Sequence, residues 1–343
     1  MAAVEMGDGT AFAEAGRVRR RAARSAGRLE TRLRSTVLRI APEETTFRRR
    51  GFYESDPVRQ RHLELHGEAF VEGFNTALEE ADADRLRAAL GRLPAPRRGF
   101  AFEGAAMACT LLDLLPLGGR DRLRRLRDGA GQRHRYLIHV GAGWAFARLR
   151  RRPWGPLELD PLLRWLVFDG YGFHEAFFKP RRVVRGFARP RGLSASELHV
   201  FDQGVGRALW FVDGADVERI AATIARFDWM RRGDLWSGVG LAACYAGGVA
   251  REELAALRRL AHGFAPQLGQ GAAFAATARF RAGNVTQETL VGCNELCGMT
   301  VVEAVNATDE ALGALPALDH PRAYGIWRSL VQCRCREHLE AAA

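Results

Sequence analysis

His139-Val140-Gly141-Ala142-Gly143-Trp144-Ala145 sets two glycines one residue apart inside an apolar run. A glycine in a helix interior costs about 1 kcal/mol relative to alanine. A chain that spends two of them in one turn gains something else, and close approach of a neighbouring backbone is the simplest return. The pattern Gly-x-small-x-(Ala or similar) recurs. It stands at Gly73, Gly104, Gly141 and Gly170, returns at Gly204, Gly238 and Gly269, and ends degenerate at Gly298. Pairing the first four with the last four gives offsets of 131, 134, 128 and 128. Flanking residues keep similar offsets: Arg97-Arg98-Gly99 matches Arg231-Arg232-Gly233, and Glu175-Ala176 matches Glu303-Ala304. Self-similarity of this kind marks a repeat architecture.

Ordinary amphipathic helices lie between the motifs. Leu86, Ala89, Leu90 and Leu93 keep helical spacing, as do Val217, Ile220, Ala221 and Ile224. Asp84 and Asp216 suit N-caps, and Asp56-Pro57 and Asp160-Pro161 set proline at a first helical position. Strand signals are scarce. The expected fold is all-α: a tandem duplication of a four-motif helical unit, its hairpins packed as two pseudo-symmetric lobes. The corresponding divisions are a basic arm (1–50), a first unit (51–182), a linker (183–198), a second unit (199–310) and a helical extension (311–343).

Charge narrows the function classes. The net charge is +11 with 51 basic residues, of which Lys179 is the single lysine. Residues 17–50 carry twelve arginines against three glutamates, so most of the excess is local. There Leu29, Leu33, Val37 and Ile40 suggest a basic amphipathic helix that touches an anionic membrane surface weakly or docks on the main domain. No aromatic platform or reader motif accompanies it, so nucleic acid is not expected as a partner. With no apolar run long enough to span a bilayer and no signal-like N-terminus, residence in the cytoplasm is expected. Six cysteines lack paired metal spacing, so neither disulfides nor a metal site are expected.

No nucleophile elbow, phosphate loop or dinucleotide fingerprint is present, so no cofactor is expected. Catalytic candidates come from position. Glu72, Glu103, His139 and Asp169 lie one or two residues before the first four glycines. Gln203, Ser237, Gln267 and Cys297 stand at the later ones, with Asp202 the nearby charge. Acidic groups on apolar helices have shifted pKa values and gather at working sites. Glu103, His139, Asp169 and Asp202 are therefore the expected acid–base residues. Glu72, Trp144, Tyr171, His174 and Trp236 are expected to bind substrate, the aromatics suiting a long, flat, apolar molecule between the lobes.

Several stretches together resemble a known family over about residues 50–310. They are Phe102-Glu-Gly-Ala-Ala106, His139–Ala145, Asp160-Pro-Leu-Leu-Arg-Trp165, Phe168-Asp-Gly-Tyr-Gly-Phe-His-Glu175, Phe201-Asp-Gln-Gly-Val-Gly-Arg207 and Leu235-Trp-Ser-Gly-Val-Gly-Leu241. The chain is similar to the UnbL-type family, bacterial proteins found with enediyne polyketide synthases. The resemblance implies a role in making or maturing an enediyne core from the synthase's polyene. The expected function is a cofactor-independent enzyme or accessory protein binding that apolar intermediate. The alternative is a helical-repeat scaffold for the synthase or a partner enzyme.

Overall fold

A computed structural model describes residues 36–54, 56–80, 82–115, 121–152 and 157–341. Most of the basic arm lies outside them. Every regular element among the described residues is helical, as the sequence indicates.

The long inner helices are α1 (Pro57–Glu79), α3 (Ala95–Leu114), α5 (Arg135–Arg148), α6 (Leu166–Phe178), α7 (Ala195–Val212), α9 (Trp229–Ala246) and α11 (Ala265–Ala282). Shorter helices bridge some of them: α2 (Ala83–Gly91), α4 (Arg122–Asp128), α8 (Val217–Ala225) and α10 (Arg251–Ala261). Three more complete the chain: α12 (Gln287–Cys297), α13 (Val301–Gly313) and α14 (Ala323–Ala341). Side-chain caps set the starts. The Asp56 carboxylate accepts from Arg59 N ahead of Pro57, and Asp216 accepts from Arg219 N. Ser194–Glu197 and Thr300–Glu303 form capping boxes. α2 starts two residues before the expected position, because Asp82 rather than Asp84 is the cap.

Each inner helix packs on the next in sequence order. At every crossing the glycines meet a main-chain carbonyl of the neighbour. A Cβ on Gly143 would overlap Val167 O, and one on Gly170 would overlap Val140 O. The same reciprocal pair recurs as Gly172–Phe201 O with Gly204–Asp169 O, as Gly206–Leu235 O with Gly238–Gln203 O, and as Gly240–Leu268 O with Gly271–Ser237 O. Between α1 and α3 it is Gly73–Ala101 O with Gly104–Phe70 O. Between α3 and α5, Gly141 meets Glu103 O and Ala106 fills the reciprocal place.

This register corrects the expected repeat. Within each helix the first glycine faces the preceding helix and the second faces the following one. Gly73 is a second-position glycine. In α11 the first position is Gly271, not Gly269. Gly298 is not a motif residue: it sits in the left-handed region (φ +68°) as the C-cap of α12. Four plus four becomes seven in one series, starting at Val71, Gly104, Gly141, Gly170, Gly204, Gly238 and Gly271. Val71 is not a glycine because α1 has no inner helix before it.

The two expected lobes find no counterpart in this packing. α6 and α7, on either side of the expected linker, cross through the same glycine pair as every other neighbour. Val183 and Val184 within that linker are buried.

The array also curls until its early helices meet its late ones. His62 and His66 of α1 both hydrogen-bond Ala246 O, at 2.7 and 2.9 Å. Arg279 of α11 donates to Pro96 O at 2.6 Å and to Tyr245 O, and the Asn284 amide donates to Ala95 O at 2.9 Å. Aromatic side chains fill the enclosed interior: Phe100, Phe173, Phe211, Tyr245, Phe274 and Trp327 border a residual cavity of about 50 Å³.

Candidate functional site

The residue before each first-position glycine lands at a crossing, so these positions form a row across neighbouring helices. Five are polar: Glu103, Asp169, Gln203, Ser237 and Gln270, all buried. They make one hydrogen-bonded track. Trp144 Nε1 donates to Glu103 Oε1 at 3.0 Å. Arg207 bridges the acids, pairing with Asp169 and standing 3.6 Å from Glu103. Gln203 Nε2 donates to Asp169 Oδ2 at 2.7 Å. Ser237 Oγ lies 3.5 Å from Gln203 Oε1 and donates to Gln270 Oε1 at 2.9 Å. Helix α14 enters the same track: Tyr324 Oη meets the Gln203 amide, and Arg328 Nε donates to Gln270 Oε1 at 3.3 Å.

One arginine between two carboxylates cannot neutralise both. Burial pushes the Glu103 carboxyl up to about 7; Arg207 opposes the shift and Asp169 adds to it. Near neutral pH the Glu103 carboxyl is therefore about half protonated.

At its far end the track reaches the wall of a cleft of about 670 Å³, between α14 and residues of α7, α9 and α11. Arg328 Nη2 lies 2.8 Å from Asp234 Oδ1, and the other carboxylate oxygen of Asp234 lies 2.6 Å from His199 Nδ1. The hydrogen bond to Asp234 raises the His199 pKa, against a smaller opposing effect of burial. This orients the imidazole with its Nδ1 proton on the carboxylate. Nε2 has no hydrogen-bond partner among the described residues, and the side chain is 52% exposed. A histidine held in this way is suited to general acid–base work. The cleft walls are largely apolar. Trp229 and Met230 are exposed at its edge, and Trp229 packs on Phe264 at 4.7 Å between ring centroids.

The four expected catalytic residues do not converge. Glu103 and Asp169 meet at Arg207. Asp202 belongs to a separate buried cluster, taking Arg231 Nη2 at 2.7 Å and pairing with Arg189. His139 holds a loop: its Nδ1 donates to Arg135 O at 2.6 Å, and its Nε2 accepts from Asp160 N at 3.3 Å. The second contact needs the neutral ring, and burial lowers its pKa to about 4.

The expected binding residues are likewise dispersed. Glu72 is exposed and Trp236 is buried. Trp144 packs on Phe70, Phe173 and Phe178 in the aromatic interior. Tyr171 packs on Phe201, and His174 stands 3.5 Å from Glu175. His199, Asp234 and Arg328 went unmarked in the sequence, because all three lie outside the glycine motifs. The available signal was a lone histidine on a helix facing a conspicuous Trp229-Met230 pair two elements later.

No group of His, Cys, Asp and Glu among the described residues could hold a metal ion, and no described helix is long and apolar enough to cross a membrane. No curated protein and no solved structure matches the chain. Residues 29–335 match the family described as Protein of unknown function (DUF1702). That span takes in the whole glycine-paired array and most of α14, and the chain belongs to this family.

Proposed function

We propose that the chain binds an elongated apolar molecule in the cleft beneath α14 and moves a proton on it through His199. It would do so as a cofactor-independent enzyme or accessory factor of enediyne-core biosynthesis, acting on a polyene-type intermediate. The observation that carries this reading is the cleft itself. Its volume falls in the range of small-molecule sites, its walls are mostly apolar, and one oriented acid–base pair stands at its edge. The polyene comes from the sequence resemblance. The aromatic interior supports the same preference less directly, because its own side chains leave room for little more than a water or two.

Metabolite profiles of a producing strain lacking the protein test the reading. The strain would be complemented with wild type, His199→Gln or Asp234→Asn, with the abundance of each protein checked. Wild type restores the product, and both variants accumulate the same precursor. Full restoration by both variants removes the proton-transfer role.

A second reading has one specific observation behind it. Trp229 and Met230 are 63% and 74% exposed and adjacent, the kind of anchor that protein partners use. On that reading the array is a scaffold for the synthase or a partner enzyme. Met230→Asp then abolishes co-purification with that partner, and unimpaired co-purification removes this reading.

A further inference from the structure

The cleft is apolar, but polar groups on its lining lack a partner among the described residues. Trp165 lines it and is only 6% exposed, yet its Nε1 has no hydrogen-bond partner among the described residues. A buried indole N–H normally finds an acceptor. Arg328, also buried on the lining, commits Nε to Gln270 and Nη2 to Asp234, which leaves Nη1. Arg322 stands exposed on the lining, and no carboxylate among the described residues pairs with it. The Gln267 amide lining the cleft has its oxygen unpartnered; turning that amide would present its NH₂ instead.

The charges agree with the donors. Of the charged groups on the lining, Asp234 is already held by Arg328 and His199, so Arg322 leaves an excess of positive charge before His199 is counted. A purely hydrocarbon ligand would leave the Trp165 N–H unpaired and would desolvate Arg322 without replacing the water it loses.

We propose that the ligand of this cleft ends in a carboxylate, which accepts a hydrogen bond from Trp165 Nε1 and pairs with Arg322 and Arg328 while its apolar chain runs along Trp229, Met230 and Phe264. The inference rests on the reading of the cleft as a small-molecule site and adds the chemical class of its polar end.

The test uses the full-length protein and two probes, the conjugated tetraene parinaric acid and its methyl ester. Binding is followed by quenching of tryptophan emission at probe concentrations below micelle formation. The acid is expected to bind about tenfold more tightly than the ester, as charge-assisted hydrogen bonds to its carboxylate require. Trp165→Phe, which removes the N–H together with the five-membered ring of the indole, weakens the acid more than the ester. Arg322→Gln, an exposed substitution with no burden on folding, does the same and flattens the salt dependence of acid binding. Equal affinity of acid and ester for wild type overturns the carboxylate anchor while the small-molecule reading stands. Equal loss of both probes in the two variants also overturns it. If neither probe binds, the small-molecule reading falls and the anchor falls with it.

Discussion

Glu103 is the residue whose surroundings conflict most with its chemistry. Its carboxyl is buried and shares one guanidinium with Asp169, and its pKa of about 7 lies well above the ordinary 4.5. A folded-state pKa above the unfolded one means that stability is fully present below about pH 4.5 and is lost as pH rises through 7. The shift corresponds to about 3 kcal/mol. Glu103→Gln, which cannot ionise, should therefore gain on wild type between pH 4.5 and pH 8 by an amount of that order in urea unfolding. A constant difference across that window would mean Glu103 stays ionised in the fold. The glycines allow a sharper comparison at this scale. Gly170→Ala drives a methyl group into Val140 O and should cost about 3 kcal/mol or more. Gly91→Ala meets open space at the end of α2 and should be neutral or stabilise by up to about 1 kcal/mol. Thermal unfolding of the two variants beside wild type decides both.

Among the elements, α14 does most to complete the site. It supplies Tyr324 to the Gln203 amide, Arg328 to both Gln270 and Asp234, and one wall of the cleft. Tyr324→Phe removes a buried hydroxyl while the amide keeps its bond to Asp169, and should cost about 1 kcal/mol. Ending the chain before Ala323 is expected to abolish binding of either tetraene probe while the far-UV helical signal falls only by the share of one helix. The helices themselves were largely legible beforehand, because caps such as Asp216 and the periodicity of Val217, Ile220 and Ile224 are local signals. The register was not. Taking Gly73 and Gly269 as equivalents of Gly104 misplaced both ends of the series by two residues. That slip made Glu72 and Gln267 look like members of a row to which Phe70 and Gln270 belong. Glu103 and Asp169 were found because the central motifs were aligned correctly. His199 and Asp234 are brought together by the packing of α7 on α9, and no spacing along the chain reports that.

For the molecule as a whole, the expectation of two lobes came from reading an approximate offset as a duplication. A series of seven similar units yields such an offset wherever it is cut, so a count of motifs alone could not tell a pair of domains from one continuous array. In an open array each unit touches only its neighbours, and its ends can unfold separately. Here Arg279, Asn284 and the His62–His66 pair join late helices to early ones. Hydrogen exchange in wild type should accordingly show α1, α3, α9 and α11 opening together. Arg279→Ala leaves Pro96 O and Tyr245 O without their donor and should uncouple the pairs, with α1 and α3 exchanging first. If α1 and α3 already exchange well before α9 and α11 in wild type, the seam adds little to cooperativity.

The glycine crossings also constrain how such a sequence can change over time. Where two side chains meet, an enlarged residue on one helix can be accommodated by a smaller one opposite, so the pair can drift together through intermediates. Where an α-carbon meets a carbonyl oxygen, the opposing atom belongs to the main chain and is the same whatever residue occupies the position. No second substitution across the interface restores the fit. Each crossing is thus closed to compensatory change, and divergence among related chains should be channelled into the bridging helices, the aromatic filling and the rim of the cleft.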